Sequence, residues 1–192
     1  MSGAVAYARG VIPSEDREKD DFYPTPSEAT CSLLKAEAFG PDVWEPACGD
    51  GAISRLFEAA GHRVVSTDLV DRGYGEPRVD FLMERRLLAP QIVTNPPFKM
   101  AEQFVRHSLD LGAEKVAMLL RLAWLEGAER KKLFDSTPLA RVHVASRRIN
   151  MARAGTDYGG GGGSMIAFAW FVWERAHSGP PTLGWFDWKE AA

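Results

Sequence analysis

Segments with strand-like patterns alternate with segments of helical periodicity through most of the chain, and this alternation most constrains its fold. Short apolar or β-branched runs typical of strands lie at positions 42–47, 63–67, 91–94 and 115–122. Helical spacing of apolar residues lies around them, at positions 27–39, 52–60, 100–111 and 128–134. A βαβαβ succession predicts a parallel sheet with helices on both faces, joined by right-handed crossovers.

The last part of the chain departs from this alternation. Two further strand candidates, at positions 139–146 and 165–173, have only a glycine-rich stretch between them. The second candidate is apolar on both faces, which is typical of a strand inside a sheet. The two segments therefore predict an antiparallel hairpin at the end of the sheet.

Composition and charge are those of a soluble globular protein. The chain has 192 residues and a formal charge of -3, so one domain is expected and nucleic acid can bind only at local patches. Its two cysteines form neither a disulfide framework nor a metal-ligand cluster, and its longest apolar stretch is about half of a membrane span. We expect a flexible leader at 1–20, a single domain at 21–192, no metal and a cytoplasmic location.

A glycine-containing turn follows the first predicted strand. The segment 45–51 reads EPACGDG, whose glycines allow a tight turn and a close approach of ligand to backbone. It matches neither the dinucleotide fingerprint nor the phosphate-binding P-loop. An acid, Asp68, follows the second strand about twenty residues on, where a carboxylate accepts hydrogen bonds from ribose hydroxyls. Taken alone, the glycine segment is an ordinary strand–turn–helix connection, and Asp68 is a helix cap or a turn residue. Taken together, the two features predict a binding site for an adenosine-type ligand without a pyrophosphate.

A third feature, Asn95-Pro96-Pro97-Phe98, follows the strand candidate at 91–94. The two prolines hold the backbone open, so that the Asn95 side chain and the Pro96 carbonyl can face one substrate. Both groups are acceptors, suited to the two hydrogens of an exocyclic amine, and Phe98 offers a flat surface on which a base can stack. Such a segment can also be only a loop, but its occurrence with the two other features favours an amine-directed site.

With these motifs, the chain resembles the amino-methylating S-adenosylmethionine-dependent DNA methyltransferases, in particular the small phage-type adenine methyltransferases. The shared motifs are DFYPTP at 21–26, WEPACGDG at 44–51, STD at 66–68, DFL at 80–82 and NPPF at 95–98. The resemblance covers roughly residues 20–175. It implies a Rossmann-like methyltransferase fold with a mostly parallel seven-stranded sheet and a C-terminal antiparallel hairpin.

The resemblance also implies which residues act. The catalytic pocket for a flipped adenine would be formed by Asn95, Pro96, Pro97 and Phe98. The residues implied to bind S-adenosylmethionine are Tyr23, Thr25, Glu45, Pro46, Ala47, Gly49, Asp68, Asp80 and Phe81. In the family, the YPTP segment contacts the methionine part of the cofactor, the acid after the second strand holds the ribose, and the DFL acid contacts the adenine edge.

Basic residues after the strand candidate at 139–146 are candidates for contacts to nucleic acid. Arg147, Arg148 and Arg153 lead into the segment AGTDYGGGGGS at 154–164. Because that strand is expected to end at the catalytic edge, we expect the arginines to contact phosphates and Tyr158 to stack on a base. A plain flexible loop is an equal alternative for the run of glycines.

No segment has room for the separate target-recognition domain of larger family members, and this leaves alternatives open. The same chemistry serves the methylation of RNA amines, of protein glutamine and of cytosine, although cytosine enzymes more often have serine in place of Asn95. A cofactor-binding subunit that needs a specificity partner is an alternative from another class, although the complete NPPF segment argues against a catalytically silent one. Acting alone, the chain would read only a short, degenerate DNA site.

Overall fold

The computed structural model describes residues 22–149, 151 and 166–190, and these form an eight-stranded sheet with helices on its two faces. The strands are β1 (Asp42–Glu45), β2 (Arg63–Asp68), β3 (Glu76–Pro77), β4 (Gln91–Thr94), β5 (Lys115–Arg121), β6 (Leu139–Ala145), β7 (Phe168–Glu174) and β8 (Thr182–Phe186). The helices are α1 (Ser27–Ala36), α2 (Ser54–Ala59), α3 (Ala101–Asp110) and α4 (Ala128–Ser136). The strand order is β3-β2-β1-β4-β5-β7-β6-β8. None of the helices in the described ranges is long and apolar enough to cross a membrane.

The parallel half of the predicted sheet is confirmed. β1 pairs in parallel with β2 and β4, and β4 pairs in parallel with β5. Because these strands run in the same direction, their carboxyl ends meet at one edge of the sheet. The turns that follow β1, β2 and β4, which contain the site motifs, therefore lie side by side.

The antiparallel pair near the end of the chain is confirmed, but its position in the sheet differs from the expectation. β7 pairs antiparallel with both β5 and β6, so it lies between them and not at the end of the sheet. Trp170 and Phe171 of β7 point to opposite faces and are both fully buried, which an edge strand would not allow. As a consequence β6 runs parallel to β5. The carboxyl end of β6 therefore lies on the same side of the sheet as the carboxyl ends of β1, β2 and β4.

The sheet has eight strands, and the expectation of seven strands was wrong. The last strand, β8, extends the sheet by pairing in parallel with β6. It contains Gly184 and leaves Leu183 and Trp185 exposed, so its sequence shows no pattern of buried residues. β3 spans only two residues, which is too short for any periodicity.

Alternate residues of the central strands divide the core into two layers. In β5, Met118 and Leu120 pack in the same cluster as residues of α3 and α4. Leu119, which points to the other face, packs with residues of α1 and α2. The expectation of helices on both faces is confirmed, and it explains why β5 is apolar from Val116 to Leu120.

A buried tryptophan fixes the beginning of α1. Trp170 of β7 is fully buried, and its indole Nε1 donates a hydrogen bond of 2.9 Å to the carbonyl of Ala29. An indole N–H left without a partner inside the core would cost about 1–3 kcal/mol, so this bond favours one position of the helix. The segment that leads into α1, residues 22–26, is thereby held near the ends of the parallel strands.

A buried ionic cluster lies near the beginnings of β5 and β6, on the side of the sheet opposite to the carboxyl ends of the parallel strands. The side chain of Glu37 is 3% exposed, and its carboxylate accepts hydrogen bonds from Lys115, Arg141 and His143. Lys115 and Arg141 also pair with Glu174. Burial by itself raises the pKa of the Glu37 carboxyl, but the hydrogen bonds from His143, Arg141 and Lys115 together hold it well below its usual range.

Replacing Glu37 by glutamine removes the central anion of this cluster. We expect Glu37→Gln to lower the free energy of unfolding at neutral pH by about 3 kcal/mol in urea denaturation, because the partly buried cations Lys115 and Arg141 lose the buried anion that they share. Since the folded-state pKa of Glu37 is depressed, its stabilising effect is present above the carboxyl pKa of the unfolded chain and is lost as the pH falls toward the folded value. The wild type should therefore lose more stability than the variant from about pH 5 to about pH 3.

The control is Glu129→Gln, which removes an exposed ion pair with Lys132 on α4. This change should leave the free energy of unfolding nearly unchanged at all these pH values. Similar losses in the two variants would contradict a stabilising role of the buried cluster.

Candidate functional site

The turn after β1 is shaped by glycines in backbone conformations that other residues rarely adopt. Gly49 and Gly51 have φ angles of 57° and 84°. A Cβ on Gly49 would lie 2.4 Å from the ring of Phe22, and a Cβ on Gly51 would lie 2.6 Å from the ring of Tyr74. The turn therefore needs glycine at both positions because of the backbone angle and because of the aromatic ring packed on it.

Asp68, at the end of β2, holds this turn in place. One of its carboxylate oxygens accepts a hydrogen bond from the Gly49 amide, and the other accepts one from the Val70 amide, both at 2.8 Å. Asp68 is 8% exposed, so these bonds lie in a largely water-free environment. Each carboxylate oxygen can accept a second hydrogen bond, which leaves Asp68 able to bind a ligand hydroxyl.

Glu45, at the end of β1, is a buried carboxyl group that binds the beginning of α2. It accepts hydrogen bonds from the Ser54 amide at 2.8 Å and from the Ser54 hydroxyl. Burial raises the pKa of the Glu45 carboxyl well above its usual range, the bonds from Ser54 oppose this rise, and nearby carboxylates add to it. The amide at the start of α2 is thus already bound by the protein itself.

Cys48 places a buried thiol in the same turn. Burial raises the pKa of this thiol to about 12, and the charges of Glu45 and Asp68 add to the rise. Its sulfur lies 3.7 Å from the carbonyl oxygen of Tyr74. The thiol therefore stays protonated at neutral pH and packs between the turn and the loop after β2.

Asn95 follows β4, and its side chain is oriented by the segment that precedes α1. Its amide nitrogen Nδ2 donates hydrogen bonds to the Tyr23 carbonyl at 3.2 Å and to the Thr25 hydroxyl at 3.1 Å. These bonds use both hydrogens of the amide, so the oxygen Oδ1 is the group that remains to accept a bond from a ligand. The amide is thereby held in one of its two orientations.

Phe98 lies among planar side chains from three other segments. The Tyr23 ring stacks on it with 6.0 Å between centroids and an angle of 27° between planes. The Phe168 ring lies 5.9 Å away, and the guanidinium carbon of Arg121 lies 4.6 Å from the Phe98 ring centroid. Sequence reasoning missed Arg121 and Phe168, because only the pairing of β5 with β7 brings the two residues together beside the turn after β4.

A cavity of about 300 Å³ lies among the turns that follow β1, β2 and β4. Most of the site residues predicted from the sequence line it: Tyr23, Thr25, Glu45, Pro46, Ala47, Gly49, Asp68, Asp80, Phe81, Asn95 and Pro97. Pro96 and Phe98 do not line the cavity, but each is a chain neighbour of Pro97, which does. Asp80 is exposed, and one of its oxygens accepts a hydrogen bond from the Leu82 amide at 3.0 Å. Nowhere in the described residues do three or more potential metal ligands come together.

Other residues of the lining were not predicted from the sequence. They include Phe22, Leu69, Arg72, Met100 and Phe104. Leu69 directly follows the acid at the end of β2, and this adjacency is a signal that could have found it. Arg72 and Phe104 carry no such signal, because a loop and a helix bring them to the cavity from outside the motifs.

The residues predicted to contact nucleic acid lie only partly within the described structure. Arg147 and Arg148 lie two and three residues after the end of β6 and are exposed near the carboxyl end of that strand, but they do not line the cavity. Arg147 forms an ion pair with Asp187, with 2.6 Å between Nε and Oδ2, so a phosphate would compete with this carboxylate. Arg153 and Tyr158 lie outside the described residues.

The close contact between the Phe22 ring and Gly49 can be tested by adding a side chain at Gly49. We expect Gly49→Ala to lower the free energy of unfolding by more than the ~1–2 kcal/mol of a left-handed backbone alone, because the new Cβ must also displace the ring. Gly73→Ala is the control, since Gly73 has a φ of 79° and no atom within 4 Å of its would-be Cβ. Urea denaturation measures both losses, and equal losses would contradict tight packing of Phe22 on Gly49.

Comparison with known proteins identifies the fold. No protein-family model and no curated protein sequence matches the chain. Among solved structures, the methyltransferase subunit of a type I restriction-modification system from Streptococcus thermophilus matches at 13% identity and a TM-score of 0.57, over 81% of this chain and 45% of that one. The chain thus spans about half of the length of the type I restriction-modification subunits that it matches.

Two further structures extend the comparison. A proposed RNA methyltransferase from Pyrococcus horikoshii matches at 12% identity and a TM-score of 0.60, over 90% of this chain and 96% of that one. The magnesium protoporphyrin IX methyltransferase from Synechocystis, solved with bound S-adenosylmethionine, matches at 14% identity and a TM-score of 0.51, over 78% and 77%. The described residues therefore have the Rossmann-like fold of the methyltransferases.

Proposed function

We propose that the chain transfers a methyl group from S-adenosylmethionine to the exocyclic amine of adenine in DNA. The observation that carries this proposal is the orientation of Asn95, whose amide hydrogens are bound by Tyr23 and Thr25. Its carbonyl oxygen is thus left to accept a hydrogen bond from an amine. Asn95 also lines the same cavity as Asp68 and the glycine turn, so a nucleoside cofactor and a target amine could meet there.

The cavity fits an adenosine-type cofactor. Asp68 is a buried acceptor suited to ribose hydroxyls, and Leu69 and Phe81 provide apolar walls suited to a purine. Asp80 offers an exposed acceptor for the amine at the purine edge, and a volume of about 300 Å³ is within the range of small-molecule sites. The residues that would hold the cofactor include the nine that the sequence analysis named. When bound, S-adenosylmethionine would supply an electrophilic methyl group.

Two acceptor groups of the chain, at Asn95 and Pro96, would orient the target amine. The Oδ1 oxygen of Asn95 and the carbonyl of Pro96 can accept the two hydrogens of the adenine amine. These bonds draw the amine nitrogen toward a tetrahedral shape and localise its lone pair, which is otherwise delocalised into the ring. The amine proton becomes acidic only as the new bond forms, so no strong base is required beforehand. Placement of reacting groups can lower a barrier by about 7–11 kcal/mol.

Phe98 would bind the target base by stacking. A base inside a duplex cannot reach this cavity, so it must be flipped out or belong to a single strand. Flipping costs a few kcal/mol, and stacking on a partly exposed aromatic ring such as Phe98 offsets part of this cost.

The five motifs in family order and the restriction-modification neighbours favour DNA as the substrate. The chain spans about half of the length of those neighbours, which are subunits of larger systems. We therefore propose that a specificity partner contributes to sequence recognition, while exposed residues such as Arg148 contact phosphates.

RNA is the second candidate substrate, and one comparison favours it. The Pyrococcus horikoshii protein, a proposed RNA methyltransferase, is matched over 96% of its length. The acceptors at Asn95 and Pro96 would bind the adenine amine of RNA in the same way, since the base is identical.

Transfer of tritium from labelled S-adenosylmethionine to DNA, RNA and protein, followed by nucleoside and amino-acid analysis, tests the proposal. We expect label in N6-methyladenine of DNA. Label in RNA nucleosides alone would favour the second candidate, and label in protein glutamine alone would overturn both. Absence of transfer together with absence of cofactor binding would overturn the methyltransferase function.

Asp68 provides a prediction about the cofactor. We expect Asp68→Ala to weaken S-adenosylmethionine binding by at least ~1–3 kcal/mol in calorimetry, because the ribose hydroxyls lose their acceptor. Asp110→Ala, which removes an exposed carboxylate on α3, is the control and should bind normally. Equal affinity of Asp68→Ala and the wild type would remove Asp68 from the cofactor site.

Asn95 provides a prediction about the chemical step. We expect Asn95→Ala to lower kcat at least about a hundredfold and to weaken cofactor binding far less, because it removes a contact to the amine and affects the cofactor only through Tyr23 and Thr25. Gln103→Ala, which removes an exposed amide on α3, is the control and should retain its turnover. Retention of most of the turnover by Asn95→Ala would contradict the proposed mechanism.

A further inference from the structure

Arg72, in the loop after β2, is held against the cavity by an aromatic contact. Its guanidinium carbon lies 4.1 Å from the centroid of the Phe22 ring. Phe22 in turn packs on Gly49, where a Cβ would lie 2.4 Å from the ring. All three residues line the cavity, so two distant segments of the chain hold the guanidinium beside the glycine turn.

The charges on the cavity wall are strongly unequal. The wall carries the carboxyl groups of Glu45, Asp50, Asp68 and Asp80, whereas Arg72 is the one cation among its described residues. S-adenosylmethionine carries two positive groups, its sulfonium and its ammonium, and one negative group, the carboxylate of its amino-acid end. An acidic wall attracts the positive groups but repels the carboxylate, so a bound carboxylate needs a cation close to it.

The first amide of the helix that follows the turn is already bound by the protein. Carboxylates and phosphates often bind to the free amides at the beginning of a helix. At the beginning of α2, however, the Ser54 amide donates to Glu45 at 2.8 Å, and the Ser54 hydroxyl donates to the same carboxylate. The first amide and the first hydroxyl of this helix are therefore already occupied by a carboxylate of the protein.

We propose that Arg72 binds the carboxylate of the amino-acid end of S-adenosylmethionine, an inference that rests on the proposed cofactor. A guanidinium matches a carboxylate with two parallel hydrogen bonds and can stack on an aromatic ring at the same time. Phe22 orients the guanidinium by that stacking, so less conformational freedom is lost when the ligand binds. Arg72 is thus a determinant of specificity for the amino-acid part of the cofactor, as Asp68 is for its ribose.

Calorimetry with two ligands that differ only in the carboxylate tests this assignment. The ligands are S-adenosylmethionine and decarboxylated S-adenosylmethionine, and the proteins are the wild type, Arg72→Gln and Arg72→Lys. We expect Arg72→Gln to weaken binding of the first ligand about ten- to a hundredfold and of the second less than about twofold. Arg72→Lys should give an intermediate loss for the first ligand, because it keeps the charge and loses the paired hydrogen bonds.

The matched control is Arg55→Gln. The guanidinium carbon of Arg55 lies 4.4 Å from the centroid of the Tyr74 ring, so Arg55 also stacks on an aromatic residue near the turn, but it does not line the cavity. It should bind both ligands like the wild type. Equal weakening of both ligands by Arg72→Gln, or no weakening, would overturn the assignment while leaving the proposed function intact. Failure of the wild type to bind S-adenosylmethionine would instead overturn the proposed function, and the assignment with it.

Discussion

The hydrogen bond from the Gly49 amide to the Asp68 carboxylate joins the turn after β1 to the end of β2, and the cavity is arranged around this bond. The amide can point at the carboxylate because Gly49 has a left-handed backbone, and the absence of a side chain there leaves room for the Phe22 ring. The same carboxylate accepts a bond from the Val70 amide, so the loop that contains Arg72 also starts from this point. A single buried acid thus sets the relative positions of the turn, the segment before α1 and the loop after β2.

The acceptor at Asn95 depends on a different and longer chain of contacts. Trp170 of β7 binds the Ala29 carbonyl and positions the beginning of α1, and the residues that precede this helix then bind the Asn95 amide. Asn95 and Thr25 are 70 positions apart in the sequence, so their hydrogen bond exists only when the sheet and α1 are both assembled. The amine-binding chemistry that we propose is therefore coupled to the integrity of the whole fold.

Stabilising charges and candidate chemistry occupy opposite edges of the sheet. Glu37, Lys115 and Arg141 form their cluster where β5 and β6 begin, whereas the cavity lies where β1, β2 and β4 end. The cavity edge contains a group that costs stability, namely the buried carboxyl of Glu45, and two turn positions that tolerate only glycine. Substitutions at the cluster and at the two turn glycines are therefore expected to change stability, whereas substitutions at ligand-facing side chains such as Asn95 and Arg72 are expected to change turnover and binding.

Local patterns were sufficient to predict the parallel half of the sheet and to select Gly49, Asp68 and Asn95, because periodicity and turn chemistry are properties of neighbouring residues. They could not place β7 between β5 and β6 or reveal β8, since strand order depends on which faces must be buried in the assembled core. Nor could they assign Arg72 to the cavity wall, because its position depends on stacking with Phe22, 50 residues earlier in the chain. The sequence by itself determined which chemical groups end each strand. Only the tertiary structure decided how they are oriented, because hydrogen bonds and ring contacts between distant segments fix those orientations.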